Sequence, residues 1–167
     1  TRTDGYGGSA EARNRFALEV AAACVAAIGK EKVGIRLSPH GAFNATGPFD
    51  GVDEQYEALA RGLGKLGIAY IHMVDHSSMG APPVSRDLKQ KIRKAFGGTF
   101  ILSGGFDKAR AEAELAAGDG DLVAFARSFL ANPDLVERLR KDAALNAPDP
   151  STFYTPGAKG YTDYPAL

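Results

Sequence analysis

Four short apolar runs, separated by helical patterns, constrain this chain more than anything else in its sequence. The runs are VGIRLSP (33–39), IAYIHMV (68–74), TFILSGG (99–105) and DLVAFARS (121–128). Each is short and rich in branched or aromatic residues, so each reads as a strand. Helical patterns lie between them. SAEARNRFALEVAAACVAAI (9–28) repeats Phe16, Val20, Ala23 and Ala27 at helical spacing, with Ser9 to cap it and Gly29 to end it. Cys24 falls on the same face and reads as packing. Val52, Tyr56, Leu59, Leu63 and Leu66 mark a second helix that Gly67 stops, and Leu88, Ile92, Ala95 and Phe96 a third behind Ser85. Residues 107–118 form a fourth, from Asp107 to Gly118, and Asn132-Pro133 opens a last one carrying Leu135, Val136 and Leu139. From Ala147 the chain is an irregular tail rich in Pro, Gly and Tyr.

Strands alternating with helices demand parallel pairing through βαβ crossovers. Continuous apolar runs suit strands covered on both faces. The pace matches a (β/α) barrel, in which eight units take roughly 250 residues. Only four strands are present in these 167 residues. The alternative is a small open doubly wound sheet, and periodicity does not separate the two. Length by itself suggests one domain. Lys+Arg 20 against Asp+Glu 20 leaves a net charge of +0, which argues against coating nucleic acid. One cysteine excludes an internal disulfide framework. With no long apolar stretch and no visible signal peptide, the expectation is a cytoplasmic protein without membrane or nucleic-acid partners. The chain opens on TRTDGYGG without an initiator Met and reads as the middle of something longer.

In either architecture ligands gather at the carboxyl ends of the strands. Those ends carry Arg36, Ser38, Pro39, His40 and Phe43, then His72, Asp75 and His76, then Ser103, Gly104 and Gly105, and finally Ala126, Arg127 and Ser128. The last two sets make a phosphate site on physical grounds. Glycines let backbone N–H groups approach an anion, and Arg127 adds a forked cation. The structural alternative is a plain tight turn, with Arg127 paired to a carboxylate such as Asp121. Arg36, flanked by Ile35 and Leu37, needs either an ion-pair partner or a ligand if it points inward. His72 reads as a satisfied core residue. His40, Asp75 and His76 match no strong metal motif and read as solvated loop residues, so no metal site is expected. The aromatics of 153–165 either fold over a flat ligand or cover surface.

Several long motifs, in order, resemble the Old Yellow Enzyme family of FMN-dependent ene reductases. TRTDGYGGSAEARNRF resembles that family's RTDxYGGSxxNRxRF segment, and VGIRLSP followed by Phe43 its arginine-bearing strand. SGGF and DLVAFARSFLANPDL resemble its paired phosphate loops, and FYTPGAKGYTDYPAL its C-terminal signature. The resemblance implies the C-terminal half, the last four β/α units, of an FMN-binding (β/α)8 barrel, a single-domain half-barrel over 1–167 with the tail at 147–167. It implies FMN as cofactor and NAD(P)H as hydride donor to α,β-unsaturated carbonyl substrates. By motif position, Arg36 is implied to contact the pyrimidine edge of FMN, where its charge favours electron-rich flavin. Ser103, Gly104, Gly105, Ala126 and Arg127 are implied to hold the phosphate, with Ala126 standing where glycine is common. Phe153 and Tyr154 are implied at the dimethylbenzene edge or substrate mouth, and Phe43, with Tyr154, at the substrate cavity. The family's substrate-holding His/Asn or His/His pair and its Tyr proton donor have no counterpart in this sequence. The expectation is therefore a chain that is inactive alone and partnered by a complementary N-terminal half-barrel or a second copy. The alternative is a non-catalytic FMN- or phosphate-binding module.

Overall fold

The structure, a computed structural model, describes residues 2–43, 46, 47 and 49–167. Two compact units emerge, Thr1–Ala124 and Phe125–Leu167. The first unit holds α1 (Ala10–Ile28), β1 (Gly34–Leu37), α2 (Val52–Leu66), β2 (Tyr70–Val74), α3 (Arg86–Phe96), β3 (Thr99–Ser103), α4 (Lys108–Ala116) and β4 (Leu122–Ala124). The strands pair in parallel in the order β1-β2-β3-β4. This is the expected β/α alternation. Sequential parallel neighbours, rather than a strand order that doubles back, are what a barrel requires and an open doubly wound sheet lacks.

The helix boundaries follow their caps. The Ser9 hydroxyl accepts from the Ala12 N–H, Ser85 from Leu88, and the Asp107 carboxylate from Arg110. Gly67 closes α2 in the left-handed region at φ +67°, a conformation that costs a side-chain-bearing residue strain.

Strand alternation gives the sheet two unlike faces. Ile71, Met73, Phe100 and Leu102 point to the helices and are essentially inaccessible. Against them pack Leu59, Leu63, Leu88 and Ile92 from α2 and α3, all buried. The other face carries two cross-strand rows. Gly34, Tyr70 and Thr99 form one, and Arg36, His72, Ile101 and Leu122 the next. None of these seven is buried. Cover on both faces was the expectation, but the described residues cover only one. The interior layers of a barrel need side chains from all around the ring, and four strands supply only part of them.

The first helix also differs from expectation. Phe16, Val20, Ala23, Cys24 and Ala27 face outward, with Phe16 67 % exposed. The inward stripe is Asn14, Leu18, Ala21 and Val25. The Asn14 Nδ2 donates to the Gln55 carbonyl at 2.9 Å, and Leu18 packs where Gly62 has no side chain. Both stripes have helical spacing, and periodicity cannot tell which one meets α2.

The second unit begins where the expected strand 121–128 stops short. After Ala124 the backbone turns, and Arg127–Ala131 form the short helix α5. Leu135–Lys141 form α6, with Asp134 rather than Asn132 at its N-cap. Asn132 is fully buried and works as a tie instead. Its amide donates to Ser128 O and Asn146 O, and its oxygen accepts from the Asn146 N–H at 2.7 Å. The tail is irregular but fastened. Buried Arg138 donates to Asp134, Ala144 O and Pro165 O, and the Leu167 N–H reaches Asp134 at 2.7 Å. No described helix is long and apolar enough to cross a membrane.

Candidate functional site

Arg36 stands third in β1, on the open sheet face, and is exposed. Among the described residues it has no carboxylate partner. His72 is its cross-strand neighbour. That imidazole is half-buried, and its Nε2 is inaccessible and has no hydrogen-bond partner among the described residues. His72 is thus not the satisfied core residue expected. Burial, and then the Arg36 charge, pull its pKa below the ordinary histidine value, so the ring is neutral near pH 7. The Tyr70 ring lies over Gly34, where any side chain on residue 34 would collide with it.

Beyond the strands, the loops converge. Phe43 meets the His76 ring edge-on, with centroids 5.2 Å apart. The Asp75 N–H donates to the Ser103 carbonyl at 2.8 Å, which joins the end of β2 to the end of β3. Asp75 is buried rather than solvated. Its carboxylate accepts from the Ser77 and Val84 N–H groups and pairs with buried Lys89 Nζ at 3.3 Å. Burial pushes the Asp75 carboxyl up, but the Ser77 hydrogen bonds and the Lys89 charge outweigh it and hold the pKa below the usual value. Asp75 is therefore a brace. No group of three metal-binding side chains exists among the described residues.

Gly104 and Gly105 follow β3 at φ +139° and +63°. A Cβ on Gly104 would run into the Asp75 carbonyl, and one on Gly105 would sit 2.7 Å from Ser78 Cβ. The loop thus depends on glycine for both conformation and close approach. The Gly105 N–H has no acceptor among the described residues. An anion would supply one. Arg110 Nη1 holds the Gly104 carbonyl at 2.9 Å.

In the second unit, Ala126 precedes α5 and Arg127 is its first residue. Asp121, in the first unit, is held by Arg93 at 2.5 Å and by the Phe100 N–H. Phe153 is half-buried. Tyr154 is 98 % exposed at φ +64°, and its N–H donates to the Tyr161 hydroxyl at 2.8 Å.

Arg36 and Phe43 thus lie toward or beyond the carboxyl end of β1, and Ser103, Gly104 and Gly105 at that of β3, with β2 between the two strands. Ala126, Arg127, Phe153 and Tyr154 belong to the second unit. Sequence reasoning missed Lys89 and Arg110. Lys89 follows Asp75 by a full loop and a helical turn, and carries no local signal. Arg110 was recoverable as the third residue of a helix that starts directly behind a glycine loop.

Comparison with known proteins bears on this geometry. Residues 1–146 match the model of the NADH:flavin oxidoreductase / NADH oxidase family. Morphinone reductase is 45 % identical, with a TM-score of 0.92 over 99 % of this chain and 44 % of its own. A structure of morphinone reductase in complex with tetrahydroNAD matches with a TM-score of 0.89. 12-Oxophytodienoate reductase 2 of Arabidopsis thaliana is 44 % identical over 99 % of this chain and 45 % of its own length. Putative 12-oxophytodienoate reductase 10 of Oryza sativa subsp. japonica is 44 % identical over 99 % and 55 %. The chain spans about half the length of the curated relatives it matches. Its four β/α units correspond to half of a (β/α)8 barrel.

Proposed function

The chain belongs to the NADH:flavin oxidoreductase / NADH oxidase family, the Old Yellow Enzyme family, and from that membership we propose that it is the FMN-gripping half of an NAD(P)H-dependent ene reductase. The substrates are α,β-unsaturated carbonyl compounds. When bound, FMN supplies the hydride relay between the nicotinamide and the β-carbon of the alkene.

One observation carries this reading. A strand cation and a glycine-loop N–H that have no partner among the described residues occur toward one end of the same sheet, and both suit an electron-rich, phosphorylated ligand. Arg36 holds a fixed positive charge against the pyrimidine edge of the flavin, and the neutral neighbour His72 leaves that charge undivided. Ser103, Gly104 and Gly105 hold the phosphate, and motif position alone gives Ala126 and Arg127 of the second unit a phosphate-holding role. The missing side chains at 104 and 105 leave a cradle that a Cβ would disrupt, which fits such a group. Phe153 and Tyr154 shield the dimethylbenzene edge, and Phe43 and Tyr154 line the substrate mouth.

The family's motifs for the substrate-holding His/Asn pair and the Tyr proton donor do not occur in this sequence. A complementary N-terminal half-barrel, in the same polypeptide or another, brings them. The open sheet face, the unpaired edges of β1 and β4 and the outward apolar stripe of α1 support that partnership. The single, unpaired Cys24 suits a reducing compartment, and the proposed location is the cytoplasm.

The test combines the chain with a complementary half-barrel and FMN and follows NAD(P)H oxidation with cyclohexenone. Turnover is expected from the combination and none from the chain alone. Robust turnover by the chain alone overturns the need for a partner. A combination that folds but retains no flavin absorbance overturns the FMN reading.

A further inference from the structure

One peptide plane lies between Gly104 and Gly105. Its orientation decides whether the loop offers a ligand an N–H or a C=O. Two glycines place little steric restraint on that choice, because each tolerates positive and negative φ alike. Arg110 removes the freedom. Its Nη1 donates to the Gly104 carbonyl at 2.9 Å. In a planar trans peptide the C=O and the following N–H point in opposite directions. Holding the Gly104 oxygen therefore aims the Gly105 N–H away from Arg110, and no acceptor for that N–H occurs among the described residues.

Arg110 is itself held on several sides. Its N–H donates to the Asp107 carboxylate at 2.8 Å, and its Nε donates to Glu114 at 2.8 Å. The guanidinium lies 4.2 Å from the centroid of the buried Phe106 ring. A planar fork pinned in this way spends little further entropy on the carbonyl. The loop is also blocked on the Asp75 side, where the Gly104 Cα has no room for a side chain against the Asp75 carbonyl.

We infer that Arg110 is a positioning residue of the phosphate cradle, locking the Gly104–Gly105 peptide with its N–H presented to the anion. The inference rests on the FMN reading and deepens it. It assigns Arg110 no contact with the flavin.

The test measures Kd for FMN and for riboflavin, which lacks the phosphate, by flavin fluorescence in the chain combined with its complementary half-barrel. The unmodified protein is expected to prefer FMN strongly. Arg110→Ala is expected to lower that preference about tenfold, roughly 1.4 kcal/mol, with the riboflavin Kd unchanged. The loss persists at 1 M salt, where the screening length is about 3 Å. Equal weakening of both flavins makes Arg110 merely structural and overturns the inference, as does a loss that vanishes at high salt. If Arg110→Ala does not fold, Arg110→Lys, which keeps the charge without the fork, is read by the same ratio. An unmodified protein that binds both flavins alike overturns the phosphate reading and this inference with it. A strong preference that survives both variants overturns this inference alone.

Discussion

The two faces of one four-stranded sheet have opposite characters. On the helix side, Ile71, Met73, Phe100 and Leu102 are sealed under α2 and α3. On the other side, Arg36, Tyr70, Thr99 and Leu122 are exposed, and His72 keeps a buried nitrogen with no partner. The backbone is the same for both, and the side chains alternate between them. The sealed face supplies stability, because apolar area removed from water contributes about 25 cal/mol per Å². The open face carries a cation and a half-buried imidazole that have no ion-pair or hydrogen-bond partner among the described residues, groups that are costly to bury unless something satisfies them. Among the described residues, the fold completes its core on one side of the sheet and leaves the other open.

Several substitutions would break or sharpen that contrast. Phe100→Ala on the sealed face should cost about 3–5 kcal/mol in chemical denaturation. A loss below about 1 kcal/mol would mean that the face is not the main core. Asp75→Asn leaves Lys89 charged and buried without its counterion, and should cost about 3 kcal/mol, partly recovered by adding Lys89→Met. No recovery in the double variant would remove the ion pair from the account. Gly104→Ala meets both a positive φ and the Asp75 carbonyl, so a penalty of about 1–3 kcal/mol is expected, expressed mainly as weaker FMN retention on gel filtration. Leu122→Ser on the open face should change the stability of the chain alone by less than about 0.5 kcal/mol. The same change should measurably weaken association with a complementary half-barrel in calorimetry.

The smallest effect is a pH dependence. The pKa of His72 is depressed in the folded chain, so the unfolded state binds more protons between the folded and unfolded values. Stability is then full above the unfolded value, about 6.5, and falls as the pH drops below it. Thermal melts from pH 7.5 to 5.5 should show the decline, and His72→Gln should flatten it. A decline equally steep in the variant would assign it to another group.

Much of the fold could be read from residue order. Ser9, Ser85 and Asp107 cap their helices as their side-chain chemistry predicts, because capping depends only on near neighbours. The Gly104-Gly105 loop and Arg36 were legible as candidates for the same reason. The inward stripe of α1 was not, since Phe16 and Leu18 both lie on helically spaced apolar stripes and only the packing of α2 selects one. Asp75 was also out of reach, because its partner Lys89 lies across a loop and in another helix. Arg127 starts a helix rather than ending a strand, since a local apolar run does not report where a sheet stops.

The sequence by itself determined the alternation of strand and helix, the parallel pairing that alternation forces, and the glycines and cation a phosphorylated, electron-rich ligand needs. Those properties depend on spacing along the chain and on the chemistry of single residues. The tertiary structure alone decided which face of the sheet is sealed, that Asp75 ties its loop to buried Lys89, that Arg36 has no carboxylate partner among the described residues, and that Arg110 holds the Gly104 carbonyl. Each of these depends on which distant groups come within a few ångströms of one another, and a linear order of residues carries no such distances.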